Sequence, residues 1–112
     1  MLKRGKRKSK YARRKRDFIY MGWVKLQPCC VAEELNSFQF CRGVIEADHM
    51  GQRAYGRKAP DQTCAPLCQL HHIHRHERLG YFHSLSKMDM RDWCDKMVSK
   101  YRAKYLESQG RY

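Results

Sequence analysis

The chain has 112 residues and carries 24 Lys and Arg against 11 Asp and Glu, a formal net charge of +13. That length allows one domain and burial of only about 60–65% of the unfolded chain's surface, so disulfide or metal staples are expected. No segment approaches the roughly 18 apolar residues of a membrane span, which excludes a membrane-spanning helix and predicts a soluble protein.

Residues 1 to 16, MLKRGKRKSKYARRKR, hold ten basic residues and no acid: Lys3, Arg4, Lys6, Arg7, Lys8, Lys10, Arg13, Arg14, Lys15 and Arg16. The rest of the chain carries only +3 (13 minus 10). A disordered basic arm on a nearly balanced domain predicts phosphate contact by counterion release, without sequence-reading power of its own. Ribosomal proteins carry tails of this kind too, so the arm does not separate DNA from RNA. It is not followed by the continuous apolar stretch of a secretory leader, and a reducing, cytoplasmic setting is expected. In that setting the six cysteines at 29, 30, 41, 64, 68 and 94 read as metal ligands or buried small apolar residues rather than disulfides.

From residue 17 onward a single domain is expected to run to the C-terminus. Asp17 to Leu26, DFIYMGWVKL, reads as a short helix or strand packing on the core, ended by Gln27 and Pro28. Residues 29 to 41 begin and end with thiols, and Glu33, Glu34 and Asn36 give the middle the look of an exposed excursion. Phe38 to Ala47 suggests a hairpin turning at Arg42 and Gly43. Met50 to Gln62, poor in large aliphatics, reads as a loop whose Arg53, Arg57 and Lys58 are candidates for gripping phosphates, against the plainer reading of solvated charges. Cys64 to Leu67 reads as a strand leading into a helix from about Cys68 or Gln69 to Leu79, with Gly80 as its stop.

A last helix is expected over about 87–106, started by the capping box of Ser86 and Asp89. Met90, Trp93, Met97, Tyr101 and Tyr105 recur at helical spacing and form its core face. Arg91, Lys96, Lys100, Arg102 and Lys104 line the other side as a possible extension of the basic footprint. Cys94 reads as a buried apolar residue.

The chemistry concentrates between Ile45 and Glu77, where EADHMG and APLCQLHHIHRHE bring acid, imidazole and thiol groups into about thirty residues. His72 and His76, four apart, project from one helix face about one turn, ~5.4 Å, from each other. Such a pair can share a divalent ion, with Asp48 as an anionic third ligand and His49 free to act as a base. Cys68 and His71, three apart at the start of the same helix, form half of a tetrahedral zinc site. His74 falls off the ligand face and is expected at the surface.

Hairpin, loop, then helix, with DH at the end of the hairpin and paired histidines on the helix, resemble the HNH endonuclease superfamily. GRKAPDQTCAPLCQLHH, with WVKLQPCC upstream and His76 downstream, is most similar to phage recombination-associated nucleases of the Ref type. The likeness covers roughly residues 22 to 82. It implies an α+β, zinc-stabilised ββα-metal domain with an added C-terminal helix. It also implies an endodeoxyribonuclease that nicks or cuts DNA, leaving a 5′-phosphate and a 3′-hydroxyl, in the host cytoplasm if phage-encoded. Asp48, His72 and His76 match the ligands of one catalytic divalent metal (Mg, Mn, Ni or Zn), and His49 matches the general base. The middle Asn of the pattern falls on Thr63, with Asp61 and Gln62 close by as alternatives for orienting that base. A structural zinc on Cys68 and His71 would take Cys41 and either Cys29 or Cys30, with Cys64 a rival. DNA is the implied partner, and a recombinase filament a candidate second one. The competing reading is a noncatalytic zinc-stabilised nucleic-acid-binding module, which leaves Asp48 and His49 idle. A ribosome-associated basic protein is a third.

Overall fold

The computed structural model describes residues 17–51 and 59–110. The basic arm (Lys3, Arg4, Lys6, Arg7, Lys8, Lys10, Arg13, Arg14, Lys15, Arg16) and Arg53, Arg57 and Lys58 lie outside the described residues. Helix α1 spans Phe18–Val24 and opens where the Asp17 carboxylate accepts the Tyr20 N–H. Helix α2 spans Cys30–Leu35 and closes on Asn36 in the left-handed conformation. Strand β1, Ile45–His49, pairs antiparallel with β2, Cys64–Cys68, in the register Ile45 with Cys68 through His49 with Cys64. Helix α3, Gln69–Glu77, follows β2 without a break. Helix α4 runs over Lys87–Ser108 from a Ser86 cap that accepts the Asp89 N–H. Two 3₁₀ turns, Asp61–Thr63 and Gly80–Phe82, complete a small α+β protein. Among the described residues no helix is long and apolar enough to cross a membrane.

The apolar sequence CAPLC makes β2 the centre of the core, buried at every position. One cluster around it joins Cys30, Val31 and Ala32 of α2 to Leu67, Phe82, Met97 and Tyr101. A second gathers Tyr20, Val24 and Cys64, and Trp23 packs against both. The Tyr20 hydroxyl donates to the Cys64 carbonyl at 2.9 Å, tying α1 to β2.

Several expectations are corrected. Residues 29 to 41 are an exposed excursion only in part: Glu34 to Asn36 and Phe38 to Phe40 are exposed as expected, whereas Cys29 to Ala32 are buried. Glu33 accepts the Tyr101 hydroxyl at 2.7 Å, and Glu34 accepts from the Tyr81 hydroxyl at 2.7 Å and Trp93 Nε1 at 3.0 Å. Phe38 to Ala47 forms no hairpin, since β1 finds its partner across the intervening segment in β2. Gly43 instead lets residues 42–44 lie against the start of α3, where the Val44 and Arg42 carbonyls accept the Gln69 and Leu70 N–H groups. Its φ is +83°, and a Cβ there would lie 2.2 Å from Gln69 Oε1, so only glycine fits without displacing that side chain. Helix α3 ends at Arg78 in the left-handed conformation rather than at Gly80, and α4 runs two residues beyond 106.

Burial pushes the Glu33 carboxyl up, but the Tyr101 hydrogen bond and the nearby Lys104 and Lys100 charges outweigh it and hold its pKa below the usual value. A depressed folded pKa means that this stabilisation is fully present above the unfolded-state pKa and is lost as pH falls through the folded one. Glu33→Gln should therefore cost about 1.5 kcal/mol in neutral urea melts, and the gap from wild type should close on acidification. A gap that widens toward acid pH would contradict the pairing.

Candidate functional site

Two ligand clusters flank α3. In the first, Sγ of Cys29, Cys41 and Cys68 lie 3.5, 3.8 and 3.1 Å from His71 Nδ1, and all four ligand atoms fall within 4.8 Å of one another. A tetrahedral zinc with Zn–S near 2.3 Å and Zn–N near 2.0–2.1 Å sets sulfur–nitrogen edges of about 3.5 Å, so the spacing fits. Cys29 precedes α2, Cys41 precedes Gly43, and Cys68 is the N-cap of α3, where its sulfur accepts the His71 N–H. Burial, then the Cys29 and Cys68 thiols beside it, push Cys41 up to about 12. Burial and His74 hold His71 below its usual pKa, in the neutral form that ligates.

Cys29, Cys41, Cys68 and His71 can therefore hold a zinc-like ion. Cys30 is not among them, because as the first residue of α2 it faces the core, and burial raises its thiol pKa further. Cys64 packs with Tyr20 and Val24. His74 is half-buried rather than at the surface, with its ring edge-on to His71.

The second cluster is Asp48, His72 and His76, whose ligand atoms also lie within 4.8 Å of one another. Asp48 Oδ1 is 3.5 Å from His72 Nε2 and 3.3 Å from His76 Nε2. Alternation along β1 puts Glu46 and Asp48 on one face, and Glu46 Oε1 lies 2.7 Å from His72 Nδ1. A proton held on Nδ1 by that carboxylate leaves Nε2 to face Asp48, the orientation a metal-ligating histidine takes from its outer partner.

Asp48 is 2% exposed and is gripped at both oxygens by Arg75, through Nε to Oδ2 and through Nη2 to Oδ1 at 2.9 Å. Burial pushes the Asp48 carboxyl up, yet the hydrogen bonds from Arg75 and His72 more than offset it and hold its pKa at about 2. The Asp48 bond raises His72 against the opposing effect of burial, with Glu46 adding to it. A cleft of about 470 Å³ opens over these groups, lined by His49, Asp48, His72, Arg75 and His76.

His49 sits at the end of β1, and its Nε2 lies 2.9 Å from Asp61 Oδ1. Asp61 is wholly buried, and its other oxygen accepts the Asp17 N–H at 2.7 Å. Thr63, the position that the sequence resemblance pairs with an Asn, turns away and donates its hydroxyl to the Pro60 carbonyl at 2.7 Å. The 3₁₀ turn at 61–63 decides this, because it swings Asp61 under the imidazole and Thr63 off it. With Nε2 against the carboxylate, Nδ1 is the His49 ring nitrogen left for another partner. Of the alternatives to Thr63, Asp61 is the one that meets His49, while Glu46 and Arg75 are contacts of the cluster that the sequence pattern did not assign. Comparison with protein-family models, with curated proteins and with solved structures finds no match to this chain, so the functional reading rests on this geometry.

Cys29→Ser should abolish stoichiometric zinc uptake and unfold the domain, since structural zinc of this kind contributes about 10 kcal/mol or more to folding. Cys30→Ala should keep one zinc per chain by metal analysis, at the cost of a modest cavity. Zinc lost from the Cys30 variant and retained in the Cys29 variant would overturn the assignment.

Proposed function

We propose that the protein is an HNH-type, divalent-metal-dependent endonuclease that hydrolyses DNA phosphodiester bonds, with a structural zinc on Cys29, Cys41, Cys68 and His71. The observation that carries this reading is the placement of an Asp61-oriented His49 in the same cleft as Asp48, His72 and His76. A purely structural metal site has no use for an imidazole held by a buried carboxylate with its other nitrogen left basic. That asymmetry favours an enzyme over a noncatalytic zinc module. The succession β1, β2, α3 also supports the ββα-metal resemblance.

The chemistry follows from the donors. Asp48, His72 and His76 would hold the ion, which when bound supplies charge stabilisation to the phosphate oxygens and to the departing oxygen. His49 Nδ1 takes a proton from water, and the resulting hydroxide attacks phosphorus as the bond to the 3′ oxygen breaks. Asp61 keeps the imidazole in the tautomer with Nδ1 free and stabilises the imidazolium that forms. The departing 3′ oxygen takes a proton from solvent water and the His49 imidazolium returns its own to solvent, completing a 5′-phosphate and a 3′-hydroxyl, the polarity the resemblance implies. Arg75 holds Asp48 in position and balances its buried charge. A phage origin and targeting to a recombinase filament belong to the Ref likeness and stand as part of the proposal.

Incubation with supercoiled and single-stranded DNA across Mg²⁺, Mn²⁺, Ni²⁺ and Zn²⁺ tests it. The wild type should cut, and His49→Ala should lower the rate by roughly 10²- to 10⁴-fold, the usual worth of a positioned base. Asp61→Ala should lower it substantially while Thr63→Ala leaves it within a few-fold. DNA binding without cleavage under every ion, or full activity in the His49 variant, would sink the reading.

A further inference from the structure

Basic residues on α4 form two groups that differ in what they meet. Lys96 Nζ lies 3.9 Å from Glu34, Lys100 Nζ 3.4 Å and Lys104 Nζ 3.9 Å from Glu33, and the Arg102 guanidinium sits 4.5 Å over the Tyr20 ring. These charges are committed to holding α4 on α1 and α2. Lys87 and Arg91, one helical turn apart and both exposed, pair with no acid among the described residues. Together with Arg78 and Arg75 they line an open groove of about 400 Å³. Asp89, Asp92 and Asp95 lie off this stripe, which follows positions 87, 90, 91 and 94 of the helix.

The groove is continuous with the catalytic cleft, since Met50, Gly51 and Arg75 line both. Arg75 joins them chemically: while it grips Asp48, its Nη1 reaches Cys94 Sγ at 3.4 Å on the groove floor. Arg78 is fixed at the groove by donating Nη1 to the Leu85 carbonyl at 2.8 Å.

We propose that this groove is the track for the nucleic-acid backbone leaving the reaction centre, with Lys87, Arg91 and Arg78 contacting phosphates on one side of the bond to be cut. The inference rests on the nuclease reading for its direction along the strand. It commits to a phosphodiester backbone as the occupant, because a row of cations facing solvent beside a phosphate-reacting cleft is complementary to a continuous polyanion. Contacts of this kind position the strand and leave base sequence unread.

The test uses the full chain in a His49→Ala background, which keeps the strand intact, and measures anisotropy of labelled duplex DNA, single-stranded DNA and RNA against salt. Lys87→Ala with Arg91→Ala should weaken binding about equally across sequences and reduce the slope of log affinity against log salt by about two, one for each phosphate no longer neutralised. The stronger loss among the three substrates identifies the form of backbone bound. Lys96→Ala with Lys100→Ala removes the same charge from the other face and should leave the slope nearly unchanged.

With His49 restored, the groove pair should raise KM several-fold and leave kcat within about threefold, as expected for positioning contacts remote from the reacting atoms. An unchanged slope in the groove pair, or an equal loss in the control pair, overturns the proposal. A slope loss confined to the groove pair in a protein that never cuts would retain the groove as a nucleic-acid surface and discard the nuclease reading.

Discussion

The convergence of Cys29, Cys41, Cys68 and His71 on one point is the constraint on which the rest of the structure depends. Each ligand comes from a different local context: the residue before α2, the turn before β1, the end of β2 and the first turn of α3. No helix of six to nine residues is stable alone in water, and the two-stranded sheet is equally marginal. A metal held by the four would cross-link their segments at the junctions and fix what propensity cannot. Because Cys68 caps α3 and His71 lies in its first turn, the cluster also sets the helix's rotation. That rotation decides that His72 and His76, rather than Ile73 and Glu77, face Asp48.

At the second cluster the balance of charge is the organising fact. A carboxylate as deeply buried as Asp48 costs several kcal/mol unless paired and hydrogen-bonded. Arg75 supplies the pairing at both oxygens while Oδ1 remains turned toward the two imidazoles. Glu46 and Asp61 then act at one remove, each setting the tautomer of a neighbouring histidine. Under the proposed function, two carboxylates orient, one carboxylate ligates, and one imidazole serves as the base.

Much of the candidate site was legible in the sequence because its ligands obey short-range periodicities. The four-residue spacing of His72 and His76 and the three-residue spacing of Cys68 and His71 survive any tertiary arrangement that keeps α3 helical. Asp48 and His49 were read from the EADH stretch as a third ligand and a base, and the resemblance implied the same roles. What the sequence hid was decided by distant partners. The hairpin over 38–47 was a local reading of apolar residues whose real partner, β2, is nearly twenty residues away. Asp61 lost out to Thr63 because alignment counts residues, whereas the 3₁₀ turn determines which side chain points at the imidazole. Glu46 did carry a signal, since it is two residues from Asp48 on a strand and must share its face. Arg75 lies three residues from His72, the same kind of signal on a helix. The choice of Cys29 over Cys30 turns on where α2 begins, and helix starts shift by a residue or two in any sequence reading.

The most direct measurement is a crystal structure of the zinc-loaded protein soaked in Mn²⁺, with anomalous scattering collected at both metal edges. The account predicts a zinc peak bounded by Cys29, Cys41, Cys68 and His71, and a manganese peak in contact with Asp48 Oδ1, His72 Nε2 and His76 Nε2 with His49 nearby but unligated. Manganese bound elsewhere, or His49 found among its ligands, would contradict it.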